Sequence, residues 1–124
     1  MKTNPVSWFE IPAKNYERAE KFYSTILEVK LAKNPMGPVI MGIFPGGMDG
    51  QGALGAIVIG KGYEPSLKGT SVYLNAGKNM ATIISKIEKA GGEVILPKTS
   101  IGDAGFIAKF VDSEGNLVAL HSAN

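Results

Sequence analysis

Along the chain the spacing of apolar positions alternates between two periods. Residues 6–11 are apolar except at Ser7 and Glu10, and Trp8, Phe9 and Ile11 favour a strand. Ala19, Phe22, Tyr23, Ile26 and Leu27 then share one face of a helix, with Asn15 placed to cap it through its side chain. Residues 28–34 read as a strand stopped by Pro35. Residues 38–44 and 53–59 read as two more, joined by the glycine-rich PGGMDGQG. The same order then returns. A strand over 70–76 leads to Asn79 as cap, and Met80, Ile83, Ile84 and Ile87 form a second helical stripe closed by Gly91-Gly92. Strands over 93–97, 106–111 and 116–121 follow, the last two joined by the turn Ser113-Glu114-Gly115. The pattern is βαβββ written twice.

The residues carry the duplication as well. Ala13-Lys14-Asn15 and Ala76-Gly77-Lys78-Asn79 precede the two helices, and Glu28-Val29-Lys30-Leu31 and Glu93-Val94-Ile95-Leu96 follow them. Gly37 with Val39, Ile40 and Phe44 likewise matches Gly105 with Phe106, Ile107 and Phe110. The expectation is one α+β domain over 1–124, with modules at about 5–60 and 69–122 whose mixed sheet curls around a cup.

Strand alternation divides each strand into two faces. If Phe9, Ile11 and Ala13 meet the first helix, Trp8 and Glu10 face away from it. In module two, Val72, Leu74 and Ala76 with Val118 and Leu120 are core, leaving Ser71, Tyr73, Asn75, Leu117, Ala119 and His121 opposite. Large aromatics such as Trp8 and Tyr73 are costly to leave wet, so this mixed face points to a ligand cup.

Composition narrows the chemistry. The chain has no cysteine and one histidine, which excludes disulfides, thiol nucleophiles and metal sites rich in thiolate or imidazole. Thirteen basic against eleven acidic residues give +2, too little for a nucleic-acid or membrane footprint. With no apolar run of spanning length and no visible secretory leader, the expected location is cytoplasmic. Gly50-Gln51-Gly52-Ala53-Leu54-Gly55 spells a dinucleotide fingerprint, but a strand follows where a helix N-terminus is required.

Phe9-Glu10-Ile11-Pro12, with Asn15-Tyr16-Glu17-Arg18-Ala19-Glu20-Lys21-Phe22-Tyr23, resembles the opening of the vicinal oxygen chelate superfamily. That superfamily holds glyoxalase I, bleomycin-resistance proteins and extradiol dioxygenases. Val72-Tyr73-Leu74-Asn75, Lys89-Ala90-Gly91-Gly92 and Phe110-Val111-Asp112-Ser113-Glu114-Gly115-Asn116 resemble its second half, with Asn15 in place of an aspartate and Ser113 in place of a proline. The resemblance implies a homodimer, and in metal-dependent members a divalent ion held by His, Glu or Gln. The ligand positions it implies fall on Trp8, Ser71, Ala119 and the stretch Leu54-Gly55-Ala56, none of them a donor of the family type. No cofactor is therefore expected.

Glu10 is the candidate general base and polar anchor, Trp8 a stacking wall, and Ser71, Tyr73, Asn75 and His121 further ligand contacts. Lys109 stands on the same face, where it would meet an anion. Gly46-Gly47-Met48-Asp49 and Lys61-Gly62-Tyr63-Glu64-Pro65 are candidate lids. Three functions compete: a metal-free small-molecule binder, a lyase or isomerase using Glu10, and an interaction module that has lost its ligand.

Overall fold

A computed structural model describes residues 5–46 and 52–124. Module one consists of β1 (Trp8–Pro12), α1 (Tyr16–Leu27), β2 (Ala32–Met36), β3 (Val39–Ile43) and β4 (Leu54–Ile59). Module two consists of β5 (Tyr73–Asn75), α2 (Met80–Ile87), β6 (Glu93–Ser100), β7 (Phe106–Val111) and β8 (Leu117–Ser122), with a 3-10 turn at Gly102–Ala104. Two separate four-stranded mixed sheets result, ordered β1-β4-β3-β2 and β5-β8-β7-β6, with no closed barrel.

The duplication holds down to single hydrogen bonds. β1 runs parallel to β4, as β5 does to β8. Ala13 N donates to Val58 O at 2.9 Å and Ala76 N to His121 O at 2.8 Å, so one sequence offset relates both pairs. Trp8 and Ser71 are matching positions in this register, as are Ala56 and Ala119.

α1 begins as its sequence requires, with Asn15 Oδ1 accepting from Arg18 N at 3.0 Å. It ends at Glu28, which takes the left-handed conformation (φ 54°). That ending displaces the next strand. β2 starts at Ala32 rather than residue 28 and runs through Pro35, which is tolerated because β2 is the edge of its sheet. The edge strand β6 similarly passes Pro97 and reaches Ser100, with register shifts between Val94 and Thr99. β5 is only three residues long, although Val72 just before it still meets β8, its O accepting from Ala119 N at 2.9 Å. Asn79 occupies the cap position of α2 but makes no side-chain cap bond. β1 and β8 are each displaced toward the C-terminus, ending at Pro12 and Ser122.

One core serves both modules. Phe22, Tyr23 and Ile26 of α1 are buried with Ile57, Ile87, Phe110 and Leu120. Tyr23 meets Phe22 edge-on at 5.0 Å and Phe44 at 5.5 Å, while Phe22 lies 5.9 Å from Phe110 of the other module. As the alternation requires, Ile11, Ala13, Leu74, Ala76, Val118 and Leu120 are buried, while Trp8, Glu10, Tyr73 and Asn75 are exposed on the opposite faces.

Candidate functional site

The β7–β8 hairpin fastens the modules together and so sets the space between them. Asp112, Glu114 and Asn116 alternate along it, which places three short polar side chains against module one. Glu114, whose side chain is fully buried, accepts from Lys14 N and Asn15 N at 2.8 Å through Oε1. Arg18 adds Nε to Oε2 at 2.5 Å and Nη2 to Oε1 at 3.0 Å. Burial would raise the pKa of this carboxyl. The bonds from Arg18, Asn15, Lys14 and Ser113 outweigh it and hold the value at about 2. Asp112 accepts from Tyr23 Oη at 2.7 Å, and this burial beside a carboxylate pushes the phenol well above its ordinary range. Asn116 Nδ2 donates to Pro12 O at 2.7 Å, at the end of β1.

Asn116 also holds the connection between the modules. Its Oδ1 accepts from Ser66 N at 3.1 Å, and Ser66 O accepts from Leu117 N at 3.2 Å. The segment from Gly60 to Val72 is thus a strap fixed at its middle, crossing the seam between β1 and the start of β8. Beneath it lies a cleft of about 260 Å³, lined among others by Glu10, Glu64, Ser66, Lys68, Thr70 and Ser71. A second hollow, at the seam between the C-terminal end of α1 and the start of α2, contains none of the expected polar anchors except Asn75.

Glu10 lines the seam cleft, beside one aromatic donor and a second aromatic ring. Trp8 Nε1 donates to Glu10 Oε2 at 3.1 Å. Tyr63, carried by the strap, sits close enough for the Glu10 charge to raise its phenol pKa, with burial and a hydrogen bond to Glu10 adding to the effect. Tyr63 belongs to a segment expected only to be a lid; its partner is a specific carboxylate of β1. The other lid expectation, at Gly47, Met48 and Asp49, lies outside the described residues. So do Gly50 and Gln51 of the glycine pattern, whose remainder runs into β4.

The expected site residues fall into two groups. Trp8, Glu10 and Ser71 gather at the seam. Tyr73, Asn75 and His121 lie on the helix-free face of module two's own sheet, where Tyr73 pairs with Ala119 and Asn75 with His121. Asn75 Oδ1 is turned to its own chain, accepting from Gly77 N at 2.8 Å. His121 Nε2 lies 2.7 Å from Ala104 O; a carbonyl only accepts, so that nitrogen carries the hydrogen. Neither residue is hydrogen-bonded to Glu10. Lys109, half-buried, lies opposite Ala119 in register.

The family resemblance puts metal ligands at Trp8, Ser71, Ala119 and within the stretch Leu54-Gly55-Ala56. Trp8 and Ser71 match one another across the modules, as do Ala56 and Ala119. An indole N–H, a hydroxyl and two methyl groups do not fit a divalent ion. Among the described residues no group of three His, Asp or Glu side chains converges elsewhere.

No family model and no curated protein matches the chain. Solved structures do. A glyoxylase/bleomycin resistance protein/dioxygenase domain from Frankia sp. EAN1pec matches with a TM-score of 0.72 and 16% identity, covering 99% of this chain and 100% of that one. A glyoxalase/bleomycin resistance protein from Albidiferax ferrireducens T118 gives 0.69 and 14%, over 98% and 100%. Glyoxalase I from Zea mays gives 0.64 and 19%, over 96% of this chain but 46% of its own, so this chain spans about half of the maize protein. At these identities the likeness is one of fold: the chain shares the paired-module fold of these glyoxalase and bleomycin-resistance structures.

Proposed function

We propose that this chain is a metal-independent small-molecule-binding protein of the glyoxalase/bleomycin-resistance type, with its ligand held at the seam cleft by Glu10. The observation that supports it is that carboxylate, bonded by the Trp8 indole and close enough to Tyr63 to raise its phenol pKa, in a cleft whose wall the strap completes. A carboxylate has about four lone-pair sites, so the indole donor leaves acceptor capacity for a ligand. The indole and phenol rings supply flat apolar walls next to it. Under this reading the protein works in the cytoplasm and pairs with a second copy, as the fold resemblance implies; the exposure of Trp8 and Tyr73 supports that pairing.

Elemental analysis of tag-free protein, before and after re-loading with zinc, nickel, manganese and iron(II), tests the metal half of the proposal. The expected result is no tightly held ion. A compound library read by the emission of Trp8, the sole tryptophan, tests the other half. A saturable change is expected, weakened about tenfold or more in Glu10→Gln, the worth of one charge-assisted hydrogen bond. Stoichiometric tight metal would overturn the proposal. Turnover of a bound compound that Glu10→Gln abolishes, without loss of binding, would replace it with the lyase or isomerase reading.

A further inference from the structure

The seam cleft carries charges of both signs that do not neutralise one another. Glu10 and Glu64 bring carboxylates, Lys68 an ammonium, and Ser66, Thr70 and Ser71 hydroxyls. The ion pairs among the described residues are Arg18–Glu114, Lys33–Glu17 and Lys86–Glu28, so none of the three charged groups of the cleft takes part in one. Ser66 lies midway between Glu64 and Lys68, and its backbone is bonded to Asn116 and Leu117 while its Oγ accepts from Lys68 N at 3.0 Å. The strap backbone is thus held to module two between Glu64 and Lys68.

We propose that the cleft binds a small zwitterion, an amino acid or other amino-carboxylate, with its ammonium against Glu10 and Glu64 and its carboxylate against Lys68 and the Thr70 and Ser71 hydroxyls. This rests on the reading of the cleft as a binding site and adds the chemical class of its ligand. A simple anion meets two carboxylates for one ammonium and is repelled. A simple cation leaves Lys68 facing it, and a neutral compound answers none of the three charges. Only a ligand bearing both signs complements them all. The volume, about 260 Å³, falls just below the usual range for drug-sized ligands and suits a metabolite of this kind.

The test is a titration of the intact chain, followed by Trp8 emission and calorimetry, with glycine, β-alanine, γ-aminobutyrate and longer amino-carboxylates. Alkylamines and alkylcarboxylates of matching length are the controls. At least one amino-carboxylate is expected to bind about tenfold or more tightly than its matched amine and carboxylate. Lys68→Met is expected to reduce it to the level of the amine, and Glu10→Gln, which leaves Glu64 in place, to weaken it about tenfold. Both side chains belong to exposed residues, and thermal melts check that the variants fold. An amine that binds as tightly as the amino-carboxylate overturns the zwitterion while leaving a binding protein for cations. Binding of library compounds but of no amino-carboxylate overturns the ligand class alone. Silence from every compound overturns this proposal and the binding function with it.

Discussion

Arg18 of module one and Glu114 of module two form a two-point ion pair, Nε to Oε2 at 2.5 Å and Nη2 to Oε1 at 3.0 Å, with the carboxylate fully buried and the guanidinium half exposed. The same carboxylate receives the free amides of Lys14 and Asn15 at the entrance to α1, so it caps a helix of the other module. Glu114→Gln keeps the shape but sets an amide N–H₂ against donors. A loss of about 2–3 kcal/mol is expected from urea unfolding, since buried donors lose their acceptor. An unchanged midpoint would show that the modules are held by their shared core alone.

The same group dictates an acid limb of stability. Its folded pKa is about 2 against an ordinary value of 4.5, so the folded state binds the proton less readily than the unfolded chain. The stabilisation is complete above about pH 5 and is lost as pH falls from 4.5 toward 2. At about 1.4 kcal/mol per unit the full shift corresponds to about 3 kcal/mol. Solvent screening around the exposed Arg18 reduces the expectation to about 2 kcal/mol. Urea midpoints measured from pH 6 down to pH 2 should fall through this window in the wild type and be flatter in Glu114→Gln.

Two buried tyrosines of α1 should respond oppositely to loss of the hydroxyl. Tyr16 Oη is buried with no hydrogen-bond partner among the described residues, whereas Tyr23 Oη donates to Asp112. Tyr16→Phe should be neutral or stabilising by up to about 1 kcal/mol. Tyr23→Phe should cost about 1–3 kcal/mol, because it strips a donor from a buried carboxylate. Equal effects in thermal melts would refute the contrast.

Asn116 should control the strap. Asn116→Ala removes the acceptor for Ser66 N and the donor to Pro12 O. Hydrogen–deuterium exchange is expected to rise across residues 60–72 and in the first turn after β1, with about 1–3 kcal/mol lost in overall stability. If protection of the strap survives, the Leu117–Ser66 bond and the Tyr63 contact with Glu10 suffice to hold it.

Gly105 and Gly115 separate steric cost from conformational cost. Both have positive φ, 106° and 101°. A Cβ at Gly115 meets nothing within 4 Å, whereas one at Gly105 lies 2.2 Å from Ser122 O. Gly115→Ala should cost about 1 kcal/mol. Gly105→Ala should cost clearly more, since the backbone of β8 must move, and chemical denaturation of the two variants compares them directly.

Much of this molecule is written in local pattern. The 3.6-residue spacing of Ala19, Phe22, Tyr23 and Ile26 and the two-residue spacing of Ile11 and Ala13 or Val118 and Leu120 are properties of the chain itself, and burial follows them. The Asn15 cap belongs to the same class, because a cap joins residues three apart. Pro35 misled as a strand stop, and the strand expected over 93–97 runs on past Pro97, because proline breaks a central strand but not an edge, and which strand lies at an edge is a matter of topology. Asp112, Glu114 and Asn116 showed their alternation in the sequence, but not that their partners are Tyr23, Arg18 and Pro12, about a hundred residues away.

By itself the sequence determined the duplicated βαβββ order, the two faces of each strand and the placing of Trp8 and Glu10 on the face away from the helix, because these depend on the periodicity of a backbone whose geometry is local. Only the tertiary structure decided that Glu10 meets Tyr63 of the strap, that His121 is bonded to Ala104 O instead of to Glu10, and that Ser71 joins Glu10 across the seam while Tyr73 does not. Those relations depend on how two modules and the segment between them are packed. That packing is fixed by hydrogen bonds between residues distant in the chain, which leave no periodic trace in it.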